Sequence, residues 1–450
     1  MALADIDTIV VVIMENRSFD HMLGYLALPG PGHLPVDGLS NDPAWLAKYA
    51  NPSAAGPVQP FRLASDVAGE ADLPHDPDSV HHALTTPTAG GQPMGGFVQA
   101  YETAKPGAAI DHKVTMGHYD AATVATFDFL AHNFLVCDNW HASLPSSTQP
   151  NKLMAMAGES LINDTHGFPI PDQPLVYNWL TARGVDWAVF TWGAFLPFFA
   201  LMKSWLGEIL KGQVLGIGHF HRYDNFAKHW RDKSKKPPPV IFVEPEYSEG
   251  KFNPNDDHPP TGVKPGQAFL HDVYQVLTSV PERWAKTMLI ITYDEHGGFF
   301  DHAPPLPVPA SAGGRNFDTT GPRVPAFIVS PQVKPGVFHG ALDHTAILQL
   351  LADKFDPAGV YSPAVQARQA HFPARLKDLL TLPPSPAAPP IPAALAATMA
   401  AQLAAPPVKG PDHPLSELAL AYRAALEHAQ TEYPAEMATP RMQAMLARMK

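Results

Sequence analysis

A single cysteine, Cys137, stands in a chain of 450 residues, so no intrachain disulfide can form and the fold has to hold without one. Charge is sparse as well. Asp, Glu, Lys and Arg make up only 16% of the residues, against about 25% in typical domains. The balance is negative, at −12, which excludes nucleic acid as the expected partner because its phosphates would be repelled. No apolar run approaches the ~20 residues that a transmembrane segment needs. A secretory signal is missing too: Asp5 and Asp7 stand where a basic leader would be, and the first apolar run leads straight into ENRSFDH. If Met1 is the native start, the expected compartment is the cytoplasm. No internal repeat is visible.

What is plentiful is apolar residues, at 45%, and proline, with 50 residues. The first allows a sizeable core; the second calls for long ordered loops. Short β-rich apolar runs at Thr8–Met14, 134–137, 186–191, Val240–Glu244, Thr287–Tyr293 and 324–330 alternate with helical patterns at 119–132, 152–158, 175–183, 265–280 and 344–355. That alternation predicts an α/β fold with a mostly parallel central sheet sandwiched by helices. Residues 41–117, rich in Pro, Gly and His, read as loops over the active edge of the sheet. The composition shifts at Leu382. The expected organisation is a main domain over 1–380, a Pro/Ala-rich extended arm over 381–413 and a helical tail over 414–450. In the tail, Leu415, Leu418, Tyr422 and Leu426 mark one helix face, and Met442, Met445, Leu446 and Met449 another. Packing on its own core is the simpler expectation for this tail; a homo-oligomer exchanging the helices, or a contact with a membrane surface, is the alternative.

Three stretches carry chemistry. In TIVVVIMENRSFDH, a buried-strand pattern ends in Glu15 and Asn16, and in TMLIITYDEHGG a second ends in Asp294 and Glu295. Ligands of open α/β sheets gather beyond the carboxyl ends of the strands. Two such tips converging on one cation would present only oxygen ligands, the hard set that suits calcium, magnesium or manganese better than zinc. The bland alternatives are a helix cap and a pair of surface acids beside a turn. The third stretch, SLPSSTQPNK, places Ser146, Ser147 and Thr148 before a helix, where free N–H groups and the helix dipole favour an anion. A hydroxyl there is an N-cap unless a base or a cation lowers its pKa.

ENRSFDHMLGYL, TQPN at 148–151, NDDHPP at 255–260 and TYDEHGGFFDHAPP, in this order, resemble the bacterial phosphoesterase family, which contains non-zinc phospholipases C and acid phosphatases of the acid phosphatase A type. The resemblance extends to RVPAFIVSP and DHTAILQLL and leaves out only the tail. It implies an alkaline-phosphatase-like fold. It also implies one divalent metal held by Glu15, Asn16, Thr148, Asp294 and Glu295, with Thr148 as nucleophile as well as ligand. His75 in DLPHDPDSV and His258 in NDDHPP resemble the family's site histidines, and His21, His296 and His302 are expected to be supporting or structural. Two features depart from the family. The nucleophile turn reads SSTQPNK where many members have Gly-Pro-Thr and an Arg, and the export signal of many members is not seen.

The activity expected from this likeness is metal-dependent hydrolysis of a small phosphate ester or a phospholipid head group through a phospho-threonine intermediate, with His258 protonating the leaving alcohol. The Pro/Ala arm and helices, in place of the C-terminal β-domains of many lipid-cleaving members, lean the expectation toward an acid phosphatase. A phospholipase C specific for phosphatidylcholine-like lipids is the alternative, and a non-catalytic phosphate- or head-group-binding module is a further one. A sulfatase is disfavoured, because threonine cannot form the formylglycine aldehyde and Cys137 lies outside the segment.

Overall fold

Six of the seven residues of Thr8–Met14 are β-branched, a composition that favours strand, and every one of the seven is buried. In the computed structural model, which describes residues 3–66, 71–107, 110–193, 196–247, 254–405 and 417–449, this run is β1 of an eight-stranded sheet. The other strands are β2 (Leu135–Cys137), β3 (Trp187–Thr191), β4 (Phe220–Arg222), β5 (Val240–Glu244), β6 (Thr287–Tyr293), β7 (Ala326–Val329) and β8 (Gly336–Phe338). Their order is β8-β2-β7-β6-β1-β5-β3-β4. Only β7 runs against its neighbours, β2 and β6; the remaining pairings are parallel. β1 and β6 pair along their whole length, from Thr8 opposite Thr287 to Met14 opposite Tyr293, so both strands end level. This is the α/β sheet expected from the sequence.

Helices that bear on the site are α1 (Pro77–Thr85), α2 (Phe97–Ala104), α3 (Thr148–Ala157), α4 (Lys264–Thr278), α5 (Thr345–Phe355), α6 (Ala393–Ala404) and α7 (Glu417–Glu432). Several differ from expectation for identifiable reasons. α3 starts four residues before the predicted 152, because Pro150 fits the first turn of a helix. The 119–132 helix begins only at Ala125, since the Asp120 carboxylate accepts from Thr123 N at 3.0 Å and closes a turn ahead of it. The strands β4 and β8 escape a periodicity reading: they are three-residue edge strands with no apolar run. Residues 41–117 are not loops alone. They contain α1 and α2, joined by a small separate core of Val80, Leu84, Met94, Phe97, Val98 and Phe300.

Within 381–413, expected to be extended, alanine's high helix propensity produces α6, which packs on α4. Residues 406–413 of that arm, and 414–416 of the tail with Leu415, lie outside the described residues. Of the tail's other marked side chains, Leu418, Tyr422, Leu426, Met442, Met445 and Leu446 are buried in the main core, and that of Met449 lies outside the described side chains. The described tail therefore packs on its own chain, with α7 against the turn Phe198–Leu201. No helix among the described residues is long and apolar enough to cross a membrane.

One buried charge cluster ties the two FDH segments together. The Arg323 guanidinium donates to Asp301 Oδ1 at 2.9 Å, to Asp20 Oδ1 at 3.2 Å and to the carbonyls of Asp37 and Asp138 at 2.7 and 2.8 Å. His302 Nδ1 meets Asp20 Oδ2 at 2.6 Å. Removing one partner of such a cluster leaves buried charges without compensation. Arg323→Met is expected to destabilise the fold by about 3–5 kcal/mol in urea denaturation; a loss under about 1 kcal/mol would contradict this role.

Candidate active site

The level ends of β1 and β6 deliver their polar tips side by side, and backbone hydrogen bonds stitch them together. Asp294 N donates to Met14 O at 3.0 Å, and Arg17 N donates to Glu295 O at 3.1 Å. Asn16 N donates to Asp294 Oδ1 at 3.1 Å. To do so Asn16 takes φ +59°, a left-handed conformation that asparagine tolerates better than most residues. Gly297 passes so close that a β-carbon on it would lie 2.0 Å from Asn16 O, and its own φ is +63°. Both observations explain why the late motif needs glycine there.

Thr148 opens α3 and donates from Oγ1 to Asn16 Oδ1 at 3.2 Å. The turn before it is held by Asn151, whose Oδ1 accepts from Leu144 N at 2.9 Å. Its Nδ2 donates to the carbonyls of Leu144, Ser146 and Ser147 at 3.1, 2.9 and 3.1 Å. That knot is the physical content of the TQPN motif. Ser147, in the N-cap position, donates instead to Asp164 Oδ1 at 2.8 Å. The structure thus brings Thr148, and neither Ser146 nor Ser147, to the strand tips.

Among the described residues, Oε2 of Glu15, Oδ2 of Asp294 and Oε1 of Glu295 are buried without a hydrogen-bond donor, and Oε1 of Glu15 meets the Lys152 ammonium alone. The other Glu295 oxygen accepts from Gly297 N at 2.7 Å and lies 3.1 Å from His296 Nδ1. Lys152 Nζ approaches Glu15 Oε1 to 3.3 Å and donates to Ile13 O at 3.1 Å. One ammonium does not balance this many buried acids. Burial, reinforced by Asp294 and opposed by Lys152, raises the Glu15 carboxyl well above its usual range. Burial likewise raises Asp294 to about 6, Asp257 to about 7 and Asp256 to about 8. For Glu295 burial pushes upward, but His75 and His296 outweigh it and the pKa is lowered. Unpartnered, desolvated carboxylate oxygens on rigid strand ends fit a hard divalent cation.

His75, His258 and Asp72 stand together beside this cradle, each with a ligand atom within 4.8 Å of the others. His75 Nδ1 donates to Leu73 O at 2.7 Å and turns Nε2 toward Asn16 Nδ2, 3.4 Å away. Burial opposes a charge on His75, but Glu295 and Asp72 overcome it and raise the pKa to about 10. His258 Nδ1 donates to Pro259 O at 2.6 Å, and its Nε2 lies 3.9 Å from Asp72 Oδ1. Burial lowers its pKa. Asp72 escaped the sequence reading, since a lone acid in an aperiodic loop carries no signal there.

His344, expected to open a helix, does precede α5, and it also braces the site. Its Nε2 donates to Asp294 O at 2.6 Å while Nδ1 accepts from Trp140 Nε1 at 3.2 Å. His21 is structural: it stacks on Phe299 at 3.7 Å and hydrogen-bonds Gly117 O at 2.7 Å. Asp20, Asp301 and His302 also cluster as ligands would, yet Arg323 already supplies their positive charge.

A mostly parallel sheet thus carries buried carboxylate oxygens, a hydroxyl at a helix start and paired histidines at one edge, an arrangement that suits a hydrolase on an α/β scaffold. The Phosphoesterase family profile matches residues 6–357, and the chain belongs to that family of phosphoester hydrolases. It is 32% identical over 377 residues to non-specific phospholipase C1 of Arabidopsis thaliana, across 76% of this chain and 65% of that protein. It is 29% identical to phospholipase C B of Mycobacterium tuberculosis, across 78% of this chain and 74% of that one. Thus it spans about two thirds to three quarters of these relatives' lengths. A solved alkaline phosphatase superfamily protein from Vibrio parahaemolyticus covers 67% of this chain and 81% of its own at 14% identity, with a TM-score of 0.35.

The raised carboxyls set a pH dependence. Asp294, Asp257 and Asp256, with folded pKa values of about 6, 7 and 8, hold protons that the unfolded chain releases near its ordinary carboxylate range. Their stabilising contribution is complete below about pH 4 and is lost as pH rises through 6–8. The metal-stripped protein should therefore show a falling melting temperature between pH 5 and 8, and saturating Mg²⁺, Ca²⁺ or Mn²⁺ should flatten the part of that slope that Asp294 carries. An unchanged slope with cation present would contradict the assignment of the cradle.

Proposed function

We propose that this chain cleaves phosphate esters by transferring the phosphoryl group to Thr148 and then to water. The observation that carries the reading is the Thr148 hydroxyl hydrogen-bonded to Asn16 amid buried carboxylate oxygens that have no donor of their own. Glu15, Asn16, Asp294 and Glu295, with Thr148, are the residues that would hold one divalent cation, and that group supplies positive charge to offset the charge developing on phosphate oxygens.

The chain's own groups account for the rest. Asn16 and the knotted turn around Asn151 aim Thr148 Oγ1 at the phosphorus. Its O–H proton passes to solvent water as a new O–P bond forms and the bond to the leaving alcohol breaks in line. Solvent water returns a proton to the Thr148 oxygen when phosphate later departs. His258 donates, from Nε2, the proton that the leaving oxygen takes up; it carries that proton as pH falls, because burial lowers its pKa, while its Nδ1–H is held by Pro259 O. A water then attacks the phosphorus from the vacated side and passes its proton to His258. Phosphate is released, and Thr148 is reprotonated. Two in-line displacements give overall retention at phosphorus. His75, drawn toward its charged form by Glu295 and Asp72, is placed to pair with a phosphate oxygen.

The substrate reading moves away from the expectation of an acid phosphatase. Two relatives carry the name phospholipase C, and this supports a diester whose lipid alcohol is the leaving group and whose phosphorylated head group passes to Thr148 and then to water. Monoester hydrolysis is the second reading, since Thr148 beside the strand tips would serve either kind of ester.

With a divalent cation supplied, Thr148→Ala should lower kcat by at least about 1000-fold while leaving the melting curve near wild type, and Thr148→Ser should keep measurable turnover. Acid quenching should trap phosphate on Thr148. Near-normal activity of Thr148→Ala would contradict the nucleophile. p-Nitrophenyl phosphorylcholine should be turned over faster than p-nitrophenyl phosphate; the reverse order would favour the monoester reading. Tight phosphate binding without turnover of either would mark a binding module.

A further inference from the structure

The tail lies beyond the family match, which ends at residue 357, yet one of its side chains reaches the layer directly beneath the carboxylate cradle. α7 approaches the turn Phe198–Leu201 closely because Ala421, Ala425 and Ala429 on its buried face are small. Tyr422 is the large residue of that face and is fully buried. Its ring stacks on Tyr247, with centroids 6.3 Å apart and an interplanar angle of 16°. Lys152 is a second neighbour of Tyr247: the ammonium sits 4.9 Å from the ring centroid, and its Nζ is 3.5 Å from the hydroxyl. Phe198 offers a second ring to the same ammonium at 5.6 Å. On its remaining side Lys152 meets Glu15 Oε1 at 3.3 Å and Ile13 O at 3.1 Å.

We propose that α7 is part of the active-site support: Tyr422 fixes Tyr247, Tyr247 fixes the Lys152 ammonium, and Lys152 fixes the Glu15 carboxylate in the orientation that receives the cation. The inference builds on the reading of Glu15, Asn16, Asp294 and Glu295 as a cation cradle.

The physical argument concerns freedom of movement. Lysine has a flexible four-carbon stem, and an ammonium with anions on several sides has more than one place to go. Glu244 is buried close by and shares the space, with Oε2 accepting from Phe198 N at 2.7 Å. A void of about 20 Å³, lined by Ile13, Lys152, Phe198, Glu244 and Tyr247, adjoins the group. If Tyr247 tilts, the ammonium can enter that space and turn toward Glu244. Glu15 then loses the only cation within contact distance among the described residues, and its side chain is no longer held. The stacked Tyr422 ring is what blocks the tilt. Partners of this kind, one step removed from a cation's ligands, commonly change its affinity 10–100-fold when they are altered. At its other end α7 starts at Glu417, whose carboxyl is raised by burial and feels the charges of Asp164, His75 and Asp72, so this end of the helix also lies near the histidine pair.

The test is titration of Mn²⁺ into the metal-stripped full-length protein by calorimetry, with melting curves alongside. Tyr422→Leu should weaken Mn²⁺ binding about 10-fold and lower kcat at saturating metal, whereas Tyr422→Phe, which keeps the ring, should stay within about 2-fold of wild type. Met442→Ala, in the buried part of the tail on the separate helix Pro440–Met449, should lower the melting temperature without changing Mn²⁺ affinity. In a Lys152→Met background, adding Tyr422→Leu should produce no further change in affinity, because the link it acts through is gone. Should Tyr422→Leu fail to fold, Tyr247→Phe reads the same link by removing the hydroxyl that faces Lys152, with about a 3-fold loss expected. An unchanged Mn²⁺ affinity in these variants, an equal loss in Met442→Ala, or a full Tyr422→Leu effect in the Lys152→Met background would overturn the inference. Those results would leave the cradle intact. Failure of the wild-type protein to bind any divalent cation would overturn the cradle and, with it, this inference.

Discussion

The parallel pairing of β1 with β6 is the constraint on which the site depends. Because the two strands stay in register up to Met14 opposite Tyr293, the next residues on each arrive at the same height. Glu15 and Asn16 face Asp294 and Glu295 across one strand spacing of ~4.8 Å, a separation one cation can bridge. A one-residue slip would turn every side chain to the other face and take the acids apart. The Asn16 backbone, strained into the left-handed region, and the close pass of Gly297 are what this placement costs locally. Strain of that kind persists only where the surrounding structure over-determines it, as the stitching between the two tips does here.

Around that junction the molecule supplies layers of support from distant parts of the chain. His344 holds the Asp294 carbonyl from the start of α5. Arg323 clamps the segments that follow both tips, through Asp20 and Asp301. Asn151 shapes the turn that presents Thr148. The tail adds Tyr422 against Tyr247 beneath Lys152. The whole arrangement concentrates negative charge in a desolvated place, which is unfavourable for the empty protein and favourable for one that holds a cation.

Legibility in the sequence follows from how local each signal is. Glu15, Asn16, Asp294 and Glu295 could be read because an apolar run that stops abruptly at acids is a pattern within ten residues. Thr148 could be picked out only through TQPN, since three hydroxyls compete in that turn and composition does not separate them. What the structure decides is that Ser147 turns to Asp164 while Thr148 turns to Asn16. Asp72 and the bracing role of His344 could not be read. The first sits in an aperiodic loop, and the second depends on a contact fifty residues away in the chain. Lys152 reads as an ordinary helix charge until the fold shows it buried, because burial of a lysine is a tertiary fact. The edge strands β4 and β8 and the alanine-driven α6 were missed for the converse reason: their local patterns are weak or point elsewhere.

The most direct measurement of the central claim is the anomalous scattering of manganese in crystals of the full chain grown with Mn²⁺. A single strong peak about 2.0–2.6 Å from oxygens of Glu15, Asp294 and Thr148 is the result this account predicts. A peak at Asp20, Asp301 and His302 with none at the strand tips, or Thr148 turned away from the ion, would contradict it.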